Sequence, residues 1–214
     1  MSPAATLGTV LLAYLPAAVS PGPNFVLIAH TAATRTRRAA VAVALGVVVA
    51  GGLLAAVAVF GLGGVLARTP WLATALRVGC GGYLTWLGVR LWWRARAPED
   101  LVEPPDGAAT TPATGSPRPG RFFRRGVLSN LTNPKAAAFF GSVLTATLPP
   151  AEPTAVKAAA VALIVAASAA WHLSVALLFS APGTQRWYAR AKPVLNRVVG
   201  TILVVLGIAL AVTP

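Results

Sequence analysis

The sequence predicts an all-α integral membrane protein: six transmembrane helices in two inverted three-helix halves, with helices 1 and 4 broken at PGPN and NLTNPK. Three observations lead there. Of 214 residues, 56% are hydrophobic and 11% charged, and the mean hydropathy is +0.71, well outside the balance of a soluble globular domain. Six charge-poor runs recur, over 4–30, 39–66, 71–93, 122–148, 154–181 and 193–213, each close to the roughly 20 residues that a helix needs to cross the hydrocarbon core. The runs are apolar on all sides instead of alternating over about 10 residues, which excludes a membrane β-barrel.

The first run has no basic residue before it and no small-residue cleavage site, so it is expected to stay as a helix and not to be removed as a signal peptide. Near its middle stands Ser20-Pro21-Gly22-Pro23-Asn24-Phe25. Gly22-Pro23 reads as a fresh helix start, because proline at the first helical position costs no hydrogen bond and its backbone is already set for helix. His30, nearer the cytoplasmic end, reads as interfacial. The second run carries Gly46, Ala50, Gly51 and Gly52, small residues that let helix backbones approach in lipid. In the third, Cys80 sits among Gly79, Gly81 and Gly82 and reads as a packing residue; one cysteine cannot form a disulfide within the chain. Trp71, Trp86, Trp92, Trp93 and Trp187 fall mostly near run ends, where the indole suits the membrane interface.

Residues 94–120 interrupt the apolar pattern with six prolines and four of the five acids, the composition of a flexible linker. The chain thus divides into a first half over 1–93, a cytoplasmic linker over 94–120 and a second half over 121–214. Three spans per half force the second half to enter the membrane the opposite way up. The net charge of +13 would suggest nucleic acid in a soluble protein, but its placement argues otherwise. Arg35, Arg37 and Arg38 follow the first run; Arg90, Arg94, Arg96, Arg118, Arg121, Arg124 and Arg125 lie between the third and fourth; Arg186, Arg190, Lys192 and Arg197 lie around the junction of the fifth and sixth. The opposite ends carry only Arg68, Arg77 and Lys157. Loops that keep Lys and Arg are cytoplasmic, so both termini are expected outside and the partner of the surface is a lipid bilayer, not nucleic acid.

The fourth run carries Asn130, Asn133, Pro134 and Lys135 within Ser129-Asn130-Leu131-Thr132-Asn133-Pro134-Lys135. Asn is a favoured N-cap and Pro a favoured first helical residue, so a second fresh start is expected here. Asn24 lies eleven positions before Arg35, and Asn133 eight after Arg125, which puts both about 12–17 Å from the cytoplasmic face, near the midplane of a hydrocarbon core about 30 Å thick. Interrupted segments at corresponding positions of two halves point to a transporter's binding site. The substrate-binding candidates are therefore Pro21, Gly22, Pro23, Asn24, Asn130, Asn133, Pro134 and Lys135. The positive helix starts would attract a carboxylate, and Lys135, costly inside a span, is a functional candidate by default. His172, in the fifth run, is a candidate for proton coupling, because no Asp or Glu lies within a run.

In SPGPNF at 20–25, GGYLTWLGVRLW at 81–92, GVLSNLTNPKAAAFF at 126–140 and LNRVVGTILVVLGIALA at 195–211, the chain resembles the LysE/RhtB family of bacterial amino-acid exporters over almost its whole length. Where family members often continue toward a Pro-Gln-Phe element, this chain reads GSVLTATLPP. The resemblance implies a secondary exporter of amino acids or close derivatives across the inner membrane, driven by the proton gradient. Two alternatives are weighed. A metal-cation exporter would want several oxygen ligands, usually carboxylates, and the spans contain none. A membrane assembly protein without transport would treat the prolines as packing kinks. An enzyme is not expected, since no HExxH, GxSxG or paired intramembrane acids occur; catalytic residues, a metal site and a cofactor are all absent from the expectation. Glycine-rich faces suit a homodimer or a monomer alike.

Overall fold

A computed structural model of the chain describes residues 2–62, 65, 68–94, 119–148 and 151–212. Most of the expected linker, residues 95–118, lies outside the described residues; Arg94 and Pro119–Gly120 close and open helices instead. All secondary structure among the described residues is helical. In chain order, α1 spans Pro3–Val19, α2 Pro23–Thr34, α3 Arg37–Ala56, α4 Pro70–Arg94, α5 Pro119–Leu131, α6 Pro134–Ala138, α7 Leu144–Thr147, α8 Thr154–Leu178 and α9 Pro182–Val212. Wider π-helical turns extend α3 over Val57–Leu62 and join α6 to α7 over Phe139–Val143.

Local chemistry sets these bounds. Ser2 caps α1 by accepting from the Ala5 N–H at 3.3 Å, and Thr36 caps α3 by accepting from the Ala39 N–H at 3.2 Å, each satisfying an amide that the helix cannot. Ser20 precedes Pro21, whose ring pushes it out of the helical region, and its ψ is 123°. α2 then starts with Pro23 at its first position, bent by 53° from α1.

Three stretches are long and apolar enough to cross a membrane, Arg37–Gly61, Thr154–Leu178 and Arg190–Val212, and α1 with α2 makes a fourth, bent one. The third apolar run forms the 25-residue α4, but Arg77, the tryptophans and the glycines dilute its hydropathy. The fourth run is divided among α5, α6 and α7, each of 13 residues or fewer. Two run boundaries are corrected. The first run stays helical to Thr34 and not just to residue 30, and the last helix begins at Pro182 and not near 193. In both cases polar and basic residues continue the helix past the apolar stretch; Pro193 is accommodated inside α9. Leu12, Leu53, Trp71, Trp93 and Val212 are each more than half exposed, a surface that only lipid would cover without cost.

Glycine decides how the helices meet. α4 packs most extensively on α9, and α3 on α5. A Cβ on Gly81 would lie 2.6 Å from the Gly207 carbonyl oxygen, and one on Gly88 would lie 2.5 Å from the Gly200 carbonyl oxygen, so α4 and α9 run antiparallel with their backbones touching at two crossings. Gly46 abuts the Phe123 carbonyl and Gly126 the Val43 carbonyl in the same way. Without a hydrophobic force between helices in lipid, such close van der Waals contact is what holds them. Cys80 packs, half-buried, against the core cluster containing Leu84 and Leu203, in keeping with a packing role.

Candidate functional site

The two proline breaks bring three asparagine and serine side chains together. Asn24, on the first turn of α2, donates from Nδ2 to Asn130 Oδ1 on α5 at 2.8 Å, and its Oδ1 accepts from Ser129 Oγ at 2.9 Å. Asn130, only 5% exposed, donates in turn to the Val47 carbonyl on α3 at 2.8 Å. Gly51, one turn further along α3, leaves room for it: a Cβ there would lie 3.3 Å from Asn130 Nδ2. Irregular backbone at membrane depth is tolerated only where protein or a cavity satisfies its polar groups.

Asn133 caps α6, its Oδ1 accepting from the Lys135 N–H at 3.0 Å. The adjacent side chain crosses to the other break: Lys135 Nζ donates to the Ser20 carbonyl oxygen at 2.9 Å. Gly22, the N-cap of α2, has no side chain to satisfy the first-turn amides of that helix. On α8, His172 Nδ1 lies 2.9 Å from the Ser168 carbonyl oxygen and 3.1 Å from Ser168 Oγ, and the Tyr14 hydroxyl of α1 lies beside Ser168.

These groups wall a cavity of about 50 Å³, room for about four waters. Gly22, Asn24, Asn130, Asn133, Lys135 and His172 line it; Pro21, Pro23 and Pro134 do not. The prolines shape the backbone, and the other six face the cavity. Sequence reasoning missed Tyr14, Ser20 and Ser168, which also line it. Ser168 carried a readable signal, since α8 buries Val156, Ala160, Ile164, Ser168 and His172 at four-residue steps, one narrow helical face. Aromatic groups flank the cavity on two sides. Phe25 stands among Phe179 and Tyr188, at ring distances of 5.3 and 4.9 Å, with Trp171 at 6.5 Å; Tyr14 meets Phe139 edge-on at 5.5 Å.

Because Asn133 supplies the cap for a helix of five residues, Asn133→Ala is expected to destabilise the protein by about 1 kcal/mol. Asn133→Ser, which keeps a capping oxygen, should restore most of it. Thermal unfolding in detergent measures both.

Apolar helices around a cavity whose described wall carries several hydrogen-bonding groups fit a membrane transport protein. The match of residues 15–213 to the LysE type translocator model establishes the particular kind: the chain belongs to that family. It is 33% identical over 205 residues to the threonine efflux protein of Salmonella typhi, and 32% identical over 205 residues to that of Escherichia coli K12; each alignment covers 96% of this chain and 97% of the relative. The homoserine/homoserine lactone efflux protein of Salmonella typhimurium is 30% identical over 135 residues, 63% of this chain and 61% of the relative. No solved structure matches the chain significantly.

Proposed function

We propose that the protein is a secondary exporter of small neutral amino acids or close derivatives across the inner membrane, working by alternating access and driven by the proton gradient. Six spans in two inverted halves, with both termini outside, are part of this reading: α4 and the α5–α7 segment complete the count begun by the four apolar spans. The observation that carries it is the hydrogen bond between Asn24 and Asn130, which ties the break between α1 and α2 to the break between α5 and α6 at the wall of the cavity.

The binding set is Pro21, Gly22, Pro23, Asn24, Asn130, Asn133, Pro134 and Lys135. The prolines and Gly22 shape the breaks, and the uncapped first turn of α2 receives the substrate carboxylate. Asn24, Asn130 and Asn133 supply directional hydrogen bonds. No carboxylate is among the described lining residues of the cavity, which disfavours the cationic side chains of lysine and arginine. Relatives named for threonine and homoserine efflux support short hydroxylated substrates, for which the Tyr14 and Ser168 hydroxyls offer partners. Coupling is routed through one of the two basic groups on the wall, His172 or Lys135. No observation favours a metal-cation exporter: the described residues hold no group of three or more His, Cys, Asp or Glu suited to a metal ion.

Counterflow in proteoliposomes across a panel of amino acids and dipeptides tests the function. Threonine, homoserine and serine are expected to exchange at least about tenfold faster than lysine, a difference of about 1.4 kcal/mol. If no amino acid or dipeptide exchanges, the exporter reading is wrong.

A further inference from the structure

We infer that Lys135 is the group whose proton is exchanged for the substrate, because its ammonium sits where the substrate's own α-ammonium would sit. The inference rests on the amino-acid exporter reading above. The Lys135 ammonium meets no carboxylate on the described wall; the contact it makes is with an oxygen that suits a cation. Nζ donates to the Ser20 carbonyl, which belongs to the C-terminal end of α1, where the last carbonyls lack helical partners and the aligned peptide dipoles leave partial negative charge. Ser20 holds a second oxygen in the same place. Ser20 is among the residues that line the cavity, and its Oγ, buried in a residue 1% exposed, has no hydrogen-bond partner. A buried hydroxyl left unpaired costs about 1–3 kcal/mol, which a ligand donating to it would recover. Gly22 keeps the seat open, since a Cβ there would come within 3.1 Å of Nζ.

An α-amino acid brings a second ammonium, with the same charge and the same three N–H donors. Two cations about 4 Å apart repel by about 4 kcal/mol at an effective dielectric of about 20; the substrate's own carboxylate, taken up by the first turn of α2, offsets part of this, and no carboxylate on the described wall offsets the rest. The substrate therefore takes the Ser20 oxygens as Lys135 releases one proton from Nζ to cavity water and leaves the carbonyl as a neutral amine. In the opposite sense, a proton arriving at Nζ from the acidic side restores the Lys135 ammonium, which reclaims Ser20 and expels the substrate. One proton leaves for each substrate ammonium seated, so the cationic seat keeps its charge, and substrate and proton move in opposite directions. The other titratable groups on the described wall are Tyr14 from α1 and His172 from α8; α2 and α5 present Asn24 and Asn130. His172, on the same wall as Lys135, is held by Ser168 on its own helix.

The test is proton release on substrate binding, read with a pH indicator in weakly buffered detergent solution near pH 7. The probe is whichever amino acid exchanges fastest in the panel. Wild type is expected to release about one proton per substrate bound, and its affinity to weaken up to about tenfold per unit fall in pH, because binding of the two is reciprocal. The 2-hydroxy acid of the same side chain, which has no ammonium, should release none. His172→Gln should still release a proton, whereas Lys135→Gln should not. Lys135→Arg, a second variant with a charge that does not leave, should release none and bind substrate at least about tenfold more weakly. Release from Lys135→Gln equal to wild type, loss of release in His172→Gln, or release driven by the hydroxy acid would overturn the inference. Wild type that binds the amino acid without releasing a proton would overturn it while leaving the exporter reading intact; an empty panel would end both.

Discussion

Asn130→Leu is expected to lower transport about a hundredfold, more than any other single change on the cavity wall. Leucine keeps the branching and the number of side-chain heavy atoms of asparagine, so the chief change is the loss of its polar groups. It removes the acceptor for Asn24 Nδ2 and the donor to the Val47 carbonyl, both at 2.8 Å, in a residue 5% exposed. The hydrogen bonds alone are modest inside a membrane, where measured cross-helix values average about 0.6 kcal/mol and reach about 1.7. Geometry carries the larger share: Asn24 loses the group that fixes it, and displacement of a binding group by about 1 Å can cost about a hundredfold. Asn24→Ala should behave similarly, and the Asn24→Ala/Asn130→Leu double variant should be little worse than either single one, because residues that share a bond are not additive. Initial rates of counterflow, normalised to folded protein, measure all three. Full additivity would show that the two asparagines act apart.

Gly126→Leu is expected to abolish folded protein. A Cβ at this position falls on the Val43 carbonyl and lies 2.9 Å from the Val43 carbonyl carbon, so the obstacle is the α3 backbone and not a side chain that could turn away. Overpacking costs about 1–3 kcal/mol where side chains can yield, and here both helices would have to separate, losing the contact that joins them. Gly52→Ala provides a milder comparison, since its Cβ would meet Val165 Cγ2 at 2.9 Å, a side chain able to shift. Gly82→Ala provides a neutral one, with nothing within 4 Å. The recovered monodisperse fraction on size-exclusion chromatography should rank Gly82→Ala, Gly52→Ala and Gly126→Leu in that order, with the last near zero.

How far the sequence could be read depended on whether the cause was local. The starts of α2 at Pro23 and α6 at Pro134 follow from residues within one turn: a proline that needs no amide partner, and an asparagine able to cap. The all-helical class followed from charge-poor runs that compete with no alternating pattern. The start of α9 did not, because Arg186, Trp187, Tyr188 and Arg190 look like a loop when apolarity is the guide, although each is an acceptable helix residue. The site was legible only in part. Asn24, Asn130 and Lys135 announced themselves as polar groups in apolar runs, yet nothing local says that Lys135 Nζ reaches a carbonyl 115 positions away. Tyr14 and Ser168 are small signals within apolar helices, and they gain meaning only once α1 and α8 are packed side by side.

The glycine crossings restrict which parts of the molecule are free to move. α3 and α4 come before residues 95–118, α5 and α9 after, and each crossing fastens one helix from before to one from after. A see-saw of the front of the chain against the back would have to prise several carbonyls from their glycines at once. In the proposed transport cycle, travel from one side of the membrane to the other would be left to the short elbows at Ser20–Gly22 and Thr132–Asn133, swinging inside a frame that stays locked.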